Sequence, residues 1–274
     1  MLERYEFKYL IDETQADEIR ATALSVGVRD EYAGESGRYT IRSLYFDTPE
    51  HHLFFANDRE AVDRFKMRVR SYPDAPMSPV FLEIKRRTKD VIRKSRAAIK
   101  RDIDWRRAMV ADREVFARLS PSQRNAASNF ARHLLLYHLE PKILIDYERE
   151  AFASTIDNYA RLTIDRKIIS QPMTKLSLEA DPKAWRPIDH RVITNTPTCI
   201  SVLELKFERR PPRWMVALVR RLELVRYSYS KYGNGIEMQH TLPEARTPTR
   251  SPGPPLTEEP DRASVPEIPS PSTP

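Results

Sequence analysis

The sequence predicts an α+β fold built on one antiparallel sheet of about eight strands. Two observations lead there. Segments with two-residue alternation follow one another in runs, instead of alternating one by one with helices. Their polar positions are also charged, strand after strand, where an ordinary solvated face mixes in Ser, Thr and Gln.

The elements follow in order. Residues 5–11 alternate Tyr5, Phe7, Tyr9 and Ile11 against Glu6 and Lys8. Residues 13–25 place Ala16, Ile19, Ala23 and Leu24 near helical spacing, with Asp12 as N-cap. Residues 39–47 are rich in aromatic and β-branched residues and stop at the turn signal Asp47-Thr48-Pro49. Residues 65–71 set Phe65, Met67 and Val69 against Lys66, Arg68 and Arg70. Strands at 80–87 and 91–100 come next, then a helical pair at 105–119 and 122–139 joined at Ser120-Pro121. Residues 142–152, 160–168 and 199–207 complete the strands, with Cys199 read as a small buried apolar residue. A helix at 212–224 presents Trp214, Val216, Leu218, Val219 and Leu222. Gly233-Asn234-Gly235 reads as a flexible turn.

Composition narrows the function. The chain has 274 residues, 40% hydrophobic and 31% charged, with a formal net charge of +7. No apolar run approaches the roughly 18–20 residues of a membrane span, so no membrane segment is expected. The N-terminus has no basic stretch followed by an apolar one, which argues against a secretory leader and makes cytoplasmic residence the expectation. The single cysteine excludes an internal disulfide framework and a multi-cysteine zinc site. The six glycines form neither a P-loop nor a dinucleotide fingerprint, so phosphate would have to be held by side-chain cations. Residues 243–274 hold ten of the 22 prolines and few large apolar residues, and are expected to be a disordered tail after a folded domain at 1–242. The basic excess lies in that domain and suits an anionic partner.

The charged faces carry the chemistry. Residues two apart on a strand share a face, so Glu6 with Lys8, Lys66 with Arg68 and Arg70, Glu83 with Lys85, Lys94 with Arg96, Arg161 with Asp165, and Glu204 with Lys206 form charged sets. One reading is a sheet with a solvated face. The other closes the sheet into a barrel with these sets inward. Cations about 6 Å apart would then repel by roughly 3 kcal/mol per pair at an effective dielectric of about 20. Interleaved carboxylates or a polyanion must offset that, and a phosphate chain is the natural guest of Arg and Lys. The carboxylates either pair with these cations or hold a hard divalent metal.

A family resemblance rests on these segments. Arg4-Tyr5-Glu6-Phe7-Lys8-Tyr9, Ser43-Leu44-Tyr45-Phe46-Asp47-Thr48, Lys66-Met67-Arg68-Val69-Arg70-Ser71-Tyr72, Leu82-Glu83-Ile84-Lys85, Lys94-Ser95-Arg96, Leu203-Glu204-Leu205-Lys206 and Ser230-Lys231-Tyr232 resemble the VTC domain. This is the polyphosphate polymerase domain of the triphosphate tunnel metalloenzyme superfamily, and the similarity runs over about residues 3–237. The resemblance implies an antiparallel eight-stranded β-tunnel, a closed barrel flanked by helices. It implies ATP as phosphoryl donor, inorganic polyphosphate as acceptor and product, and a divalent metal, Mn2+ or Mg2+. By resemblance the phosphate-binding positions are Lys8, Arg68, Arg70, Lys85, Lys94, Arg149, Arg161, Ser230 and Lys231. Lys206, two residues beyond Glu204, faces the same lumen. Arg68, Arg70 and Lys85 would carry catalysis, and Glu204 would bind the metal.

Arg149 fits its strand pattern poorly, because it shares a face with Ile143, Ile145 and Tyr147. Arg4 stands where triphosphatases and class IV cyclases of the superfamily carry the first Glu of Glu-x-Glu-x-Lys, which favours the polymerase branch. The inositol-phosphate-sensing SPX domain of some family members is not expected here, since the tunnel strands begin within the first ten residues. Glu6 and Glu83 are either further metal ligands or partners of the lysines and arginines. His51, His52, His133 and His138 lack convincing metal spacing, and Tyr229 and Tyr232 read as packing residues. The rival functions are a tunnel triphosphatase and a non-catalytic polyphosphate-binding module. Nucleic-acid binding is not expected, because the strand cations come with few exposed aromatics and no recognisable motif.

Overall fold

The computed structural model describes residues 4–89, 91–157, 159–189 and 201–240. The tail at 243–274 and Cys199 lie outside the described residues. The main strands are β1 (Arg4–Ile11), β3 (Tyr39–Asp47), β4 (Asp63–Ser71), β5 (Val80–Thr88), β6 (Val91–Ile99), β7 (Glu140–Ser154), β8 (Arg161–Pro172) and β10 (Ser201–Glu208). They form one antiparallel sheet in the order β1-β10-β8-β7-β3-β4-β5-β6. Two short strands, β2 (Gly27–Arg29) and β9 (Arg186–Pro187), extend β7 and β8. The α+β class and the strand positions stand as the alternation predicts. Closure into a barrel does not: among the described residues no backbone pairing joins β1 to β6. The sheet nevertheless curls far enough for side chains near its two ends to meet, Lys85 of β5 lying 3.2 Å from Glu6 of β1.

The helices cover the outer face. Trp105–Met109 (α3), Arg113–Ala117 (α4) and Pro121–Leu136 (α5) pack on Met67, Val69, Leu82, Ile84, Ala97 and Ile99. These residues alternate with the charged ones, which is why the latter point to the concave side. The single helix expected at 105–119 is broken in two, because Ala111 adopts a left-handed φ of 57° and Asp112 caps a new helix on the Glu114 and Val115 amides. Glu13–Val26 (α1) and Arg213–Arg221 (α6) cover β1, β8 and β10 through Ala16, Ile19, Met215 and Leu218. Asp12 caps α1 in a reciprocal box with Gln15. A short helix, His52–Asp58 (α2), starts after Asp47, whose buried carboxylate accepts from the Thr48, Leu53 and Phe54 amides.

The expected flexible turn at Gly233-Asn234-Gly235 is instead the first half of a helix, Lys231–His240 (α7). Two glycines oppose helix formation by about 1 kcal/mol each. Packing overrides them. Ser230 Oγ accepts from the Gly233 amide at 3.0 Å and so caps the helix. Gly235 lets the backbone approach β7, since a Cβ there would stand 2.6 Å from Ile143 Cδ1. Ile236, Tyr229 and Tyr232 complete an apolar cluster with Ile143, Ile145, Ile168 and Val202. Gly235→Ala is expected to cost about 1–3 kcal/mol through overpacking, read by chemical denaturation.

A bulge sets the rest of the concave face. Between the pairs Asp146↔Ile169 and Glu148↔Arg166, β8 carries one residue more than β7. Lys167 absorbs the kink at φ 49°. The bulge changes which parity of β8 faces inward, so Asp165 and Ile168 both serve the interior.

Candidate functional site

The concave face has two halves. Toward β3 and β7 it is apolar and closed by α7. Toward β4, β5, β6, β1, β10 and the first half of β8 it is charged, and cations far outnumber carboxylates.

The centre of the charged half is Glu204, 5% exposed. Its carboxylate accepts from Lys206 Nζ at 2.7 Å and lies 3.5 Å from Lys231 Nζ, 3.5 Å from Arg149 Nη2 and 3.7 Å from Lys8 Nζ. Burial pushes this carboxyl up, but Lys206, Lys231, Lys8 and Arg149 together hold it well below the usual range. Beside it, fully buried Asp165 takes two bonds from Arg149, Nε at 2.6 Å and Nη2 at 2.7 Å, and one from Lys231 Nζ at 2.6 Å. Lys231 also sits over the Tyr147 ring at 4.6 Å. The poor fit of Arg149 to its strand is thereby explained. Ile143, Ile145 and Tyr147 face inward with it, because α7 makes that part of the interior apolar.

On β4 and β5, Arg68 donates from Nε to Glu83 Oε2 at 2.8 Å and from Nη1 to the Tyr45 hydroxyl oxygen at 2.8 Å. Glu83 also lies 3.6 Å from Arg70 Nε and 3.3 Å from Arg96 Nε. Its carboxyl is raised by burial but pulled down to about 2 by Arg68, Arg70 and Arg96. The buried Arg70 Nε makes no hydrogen bond among the described residues. Lys85 pairs with Glu6, and Lys8 donates to the Tyr229 carbonyl at 2.8 Å. Burial and Glu204 raise the Glu6 carboxyl, but Lys85, Lys8 and Lys206 bring it to about 2. Glu6 and Glu83 are thus partners of the cations.

Most residues singled out from the sequence fall into two groups on the charged half: Lys8, Lys85, Arg149, Lys206 and Lys231 around Glu204 and Glu6, and Arg68 and Arg70 around Glu83. Ser230 meets them through Lys66 Nζ, which donates to its Oγ at 2.9 Å. Lys231 lies inside, 8% exposed. Lys94 is open to solvent but stands close enough to Lys85 and Lys206 to feel both charges. Arg161 is exposed at the start of β8, on the face of Thr163 and Asp165 and opposite Lys206 in register, and among the described residues no side-chain hydrogen bond or ion pair ties it to the cluster. Asp165, Tyr45 and Tyr147 are contributors that the family segments did not supply as site residues. For Asp165 the signal was its place two residues from Thr163 on a charged face. His133 is buried, its Nδ1 is 2.8 Å from the Asn129 carbonyl, and it packs against Phe65.

Among solved structures, an adenylate cyclase candidate from Bacillus halodurans is similar at 12% identity, over 83% of this chain and 95% of its own, with a TM-score of 0.46. The PH1819 protein of Pyrococcus horikoshii is similar at 10% identity, over 86% and 99%, with a TM-score of 0.43. An adenylyl cyclase candidate from Hippeastrum, with a dominant triphosphatase activity, is similar at 11% identity, over 89% and 98%, with a TM-score of 0.43. No curated protein sequence matches the chain significantly. The VTC domain matches over residues 3–240, which includes all of the described sheet and its helices. The chain therefore belongs to the VTC domain family, with a fold of the triphosphate tunnel metalloenzyme kind.

Proposed function

We propose that this protein is an ATP-dependent polyphosphate polymerase, which moves the terminal phosphate of ATP onto a polyphosphate chain held along the charged concave face of the curled sheet. The observation that carries this is the cation surplus of the concave face, with Arg70 Nε buried in it, 3.6 Å from Glu83 and without a hydrogen-bond acceptor among the described residues. Arg68 and Arg70 would grip neighbouring phosphates, with Lys85, Lys94, Lys8 and Lys206 along the chain. Glu83 holds both arginines in place before substrate arrives. Phosphoryl transfer depends mainly on alignment and charge stabilisation, so preorganised cations do most of the catalysis. The acceptor phosphate is already ionised and needs no general base.

Tunnel metalloenzymes generally use divalent metals. Among the described residues no three acidic, histidine or cysteine side chains converge as a ready-made metal cage. Glu204 offers one hard carboxylate, which fits an ion that takes its other ligands from phosphate oxygens and water. Mn2+ or Mg2+ held there would neutralise charge on the phosphates. Lys8, Lys206, Lys231 and Arg149 fix the orientation of Glu204 and keep it ionised.

Incubation of the full chain with ATP and manganese, followed by gel electrophoresis, tests the reading. Long polymer is the expected product. Free phosphate without polymer would make the protein a triphosphatase, and tripolyphosphate binding without turnover would make it a binding module.

A further inference from the structure

Strand register places Lys66, Lys85 and Lys94 directly opposite one another on β4, β5 and β6. Like charges in opposed positions destabilise a sheet. The neighbouring row solves this by alternation, Arg68 and Arg96 flanking Glu83. The lysine row has no carboxylate within it. Glu6 reaches across from β1, but its bond goes to Lys85. Lys66 is left with a neutral partner, the Ser230 hydroxyl. The charged groups facing it are Glu6 and Lys8 from β1, Lys85 from β5 and Arg68 on its own strand, so cations prevail around it.

We propose that Lys66 is a further phosphate-binding residue of this tunnel, and that capture of a polyphosphate chain is accompanied by proton uptake on its amine. The proposal rests on the tunnel reading above and adds a residue and a proton to it. The Lys66 amine carries its proton poorly without a guest. Burial, then Lys8 and Lys85, push it down to about 7. At pH 8 about nine-tenths of an amine titrating near 7 is uncharged. Phosphate oxygens entering the row reverse the sign of the local field. The neutral amine then binds a proton from solvent, and the resulting ammonium donates to the phosphate. No bond other than N–H forms or breaks. The alternative is a purely structural Lys66 that only supports the Ser230 cap of α7.

Titration calorimetry of the full chain with tripolyphosphate at pH 8, in buffers of different ionisation heat, counts the protons taken up. Changes in the protonation of tripolyphosphate itself are common to all variants and cancel in the comparison. Relative to wild type, Lys66→Met is expected to lose about half a proton or more per tripolyphosphate, and to bind roughly 10-fold or more weaker. Lys66→Arg, always charged, is expected to recover most of the affinity but keep the low proton count. Equal proton counts and affinities in wild type and Lys66→Met would overturn the proposal and leave the tunnel reading standing. A structural role would change stability but not the proton count. Absence of tripolyphosphate binding in wild type would overturn both.

Discussion

Arg68→Met is expected to lower turnover by roughly 10²–10³-fold, the loss typical of one preorganised donor to a charge-developing centre. Its stability is expected to stay within about 1 kcal/mol of wild type. Arg68 bridges Glu83 and Tyr45, but Glu83 keeps Arg70 and Arg96 within 3.6 Å after the change. Methionine keeps much of the stem volume, and the interior loses one of several mutually repelling cations. Steady-state assay of terminal phosphate transfer from ATP, with a denaturation curve on the same protein, reads both effects. Undiminished turnover would count heavily against phosphate binding by this arginine.

Asp165→Asn is expected to produce the largest loss of stability, about 3–5 kcal/mol, as in other cases where one member of a buried ionic group is removed. Asp165 is fully buried and binds both Arg149 and Lys231. Without its charge, Glu204 alone faces those two cations at 3.5 Å, while already engaged by Lys206. A polyanion supplies the missing negative charge. Tripolyphosphate, which at a hundredfold excess over Kd stabilises a binding protein by about 2.7 kcal/mol, is therefore expected to raise the melting temperature of the variant more than that of wild type. A variant as stable as wild type, or one with no larger response, would contradict this view of the interior.

Much of this was legible in the residues because period-two alternation is a local property. Residues 39–47 read as a strand with the observed ends, and Lys66, Arg68 and Arg70 face inward because Phe65, Met67 and Val69 face the helices. What escaped was set by tertiary contact. Lys231–His240 contains two glycines and reads as a turn, yet Gly235 against Ile143 and the Ser230 cap make it a helix. Strict alternation along residues 160–168 cannot foresee the bulge at Lys167, which brings Asp165 and Ile168 to one side. Tyr45 gave no signal as a partner of Arg68, because the contact joins residues on different strands. The open order between β1 and β6 was equally invisible, since alternation reports the face of a strand and not its neighbour.

Among the described residues that order leaves β6 as a terminal strand, and such a strand can recruit another molecule by adding to its sheet. Here Val91, Arg93, Lys94 and Arg96 are exposed along it. A second copy arriving edge-on in antiparallel fashion would bring the same cations against these, so self-association by strand addition is electrostatically disfavoured. The charges read above as a grip on phosphate therefore also work against aggregation, and neutralising them to simplify the protein would expose it to that hazard.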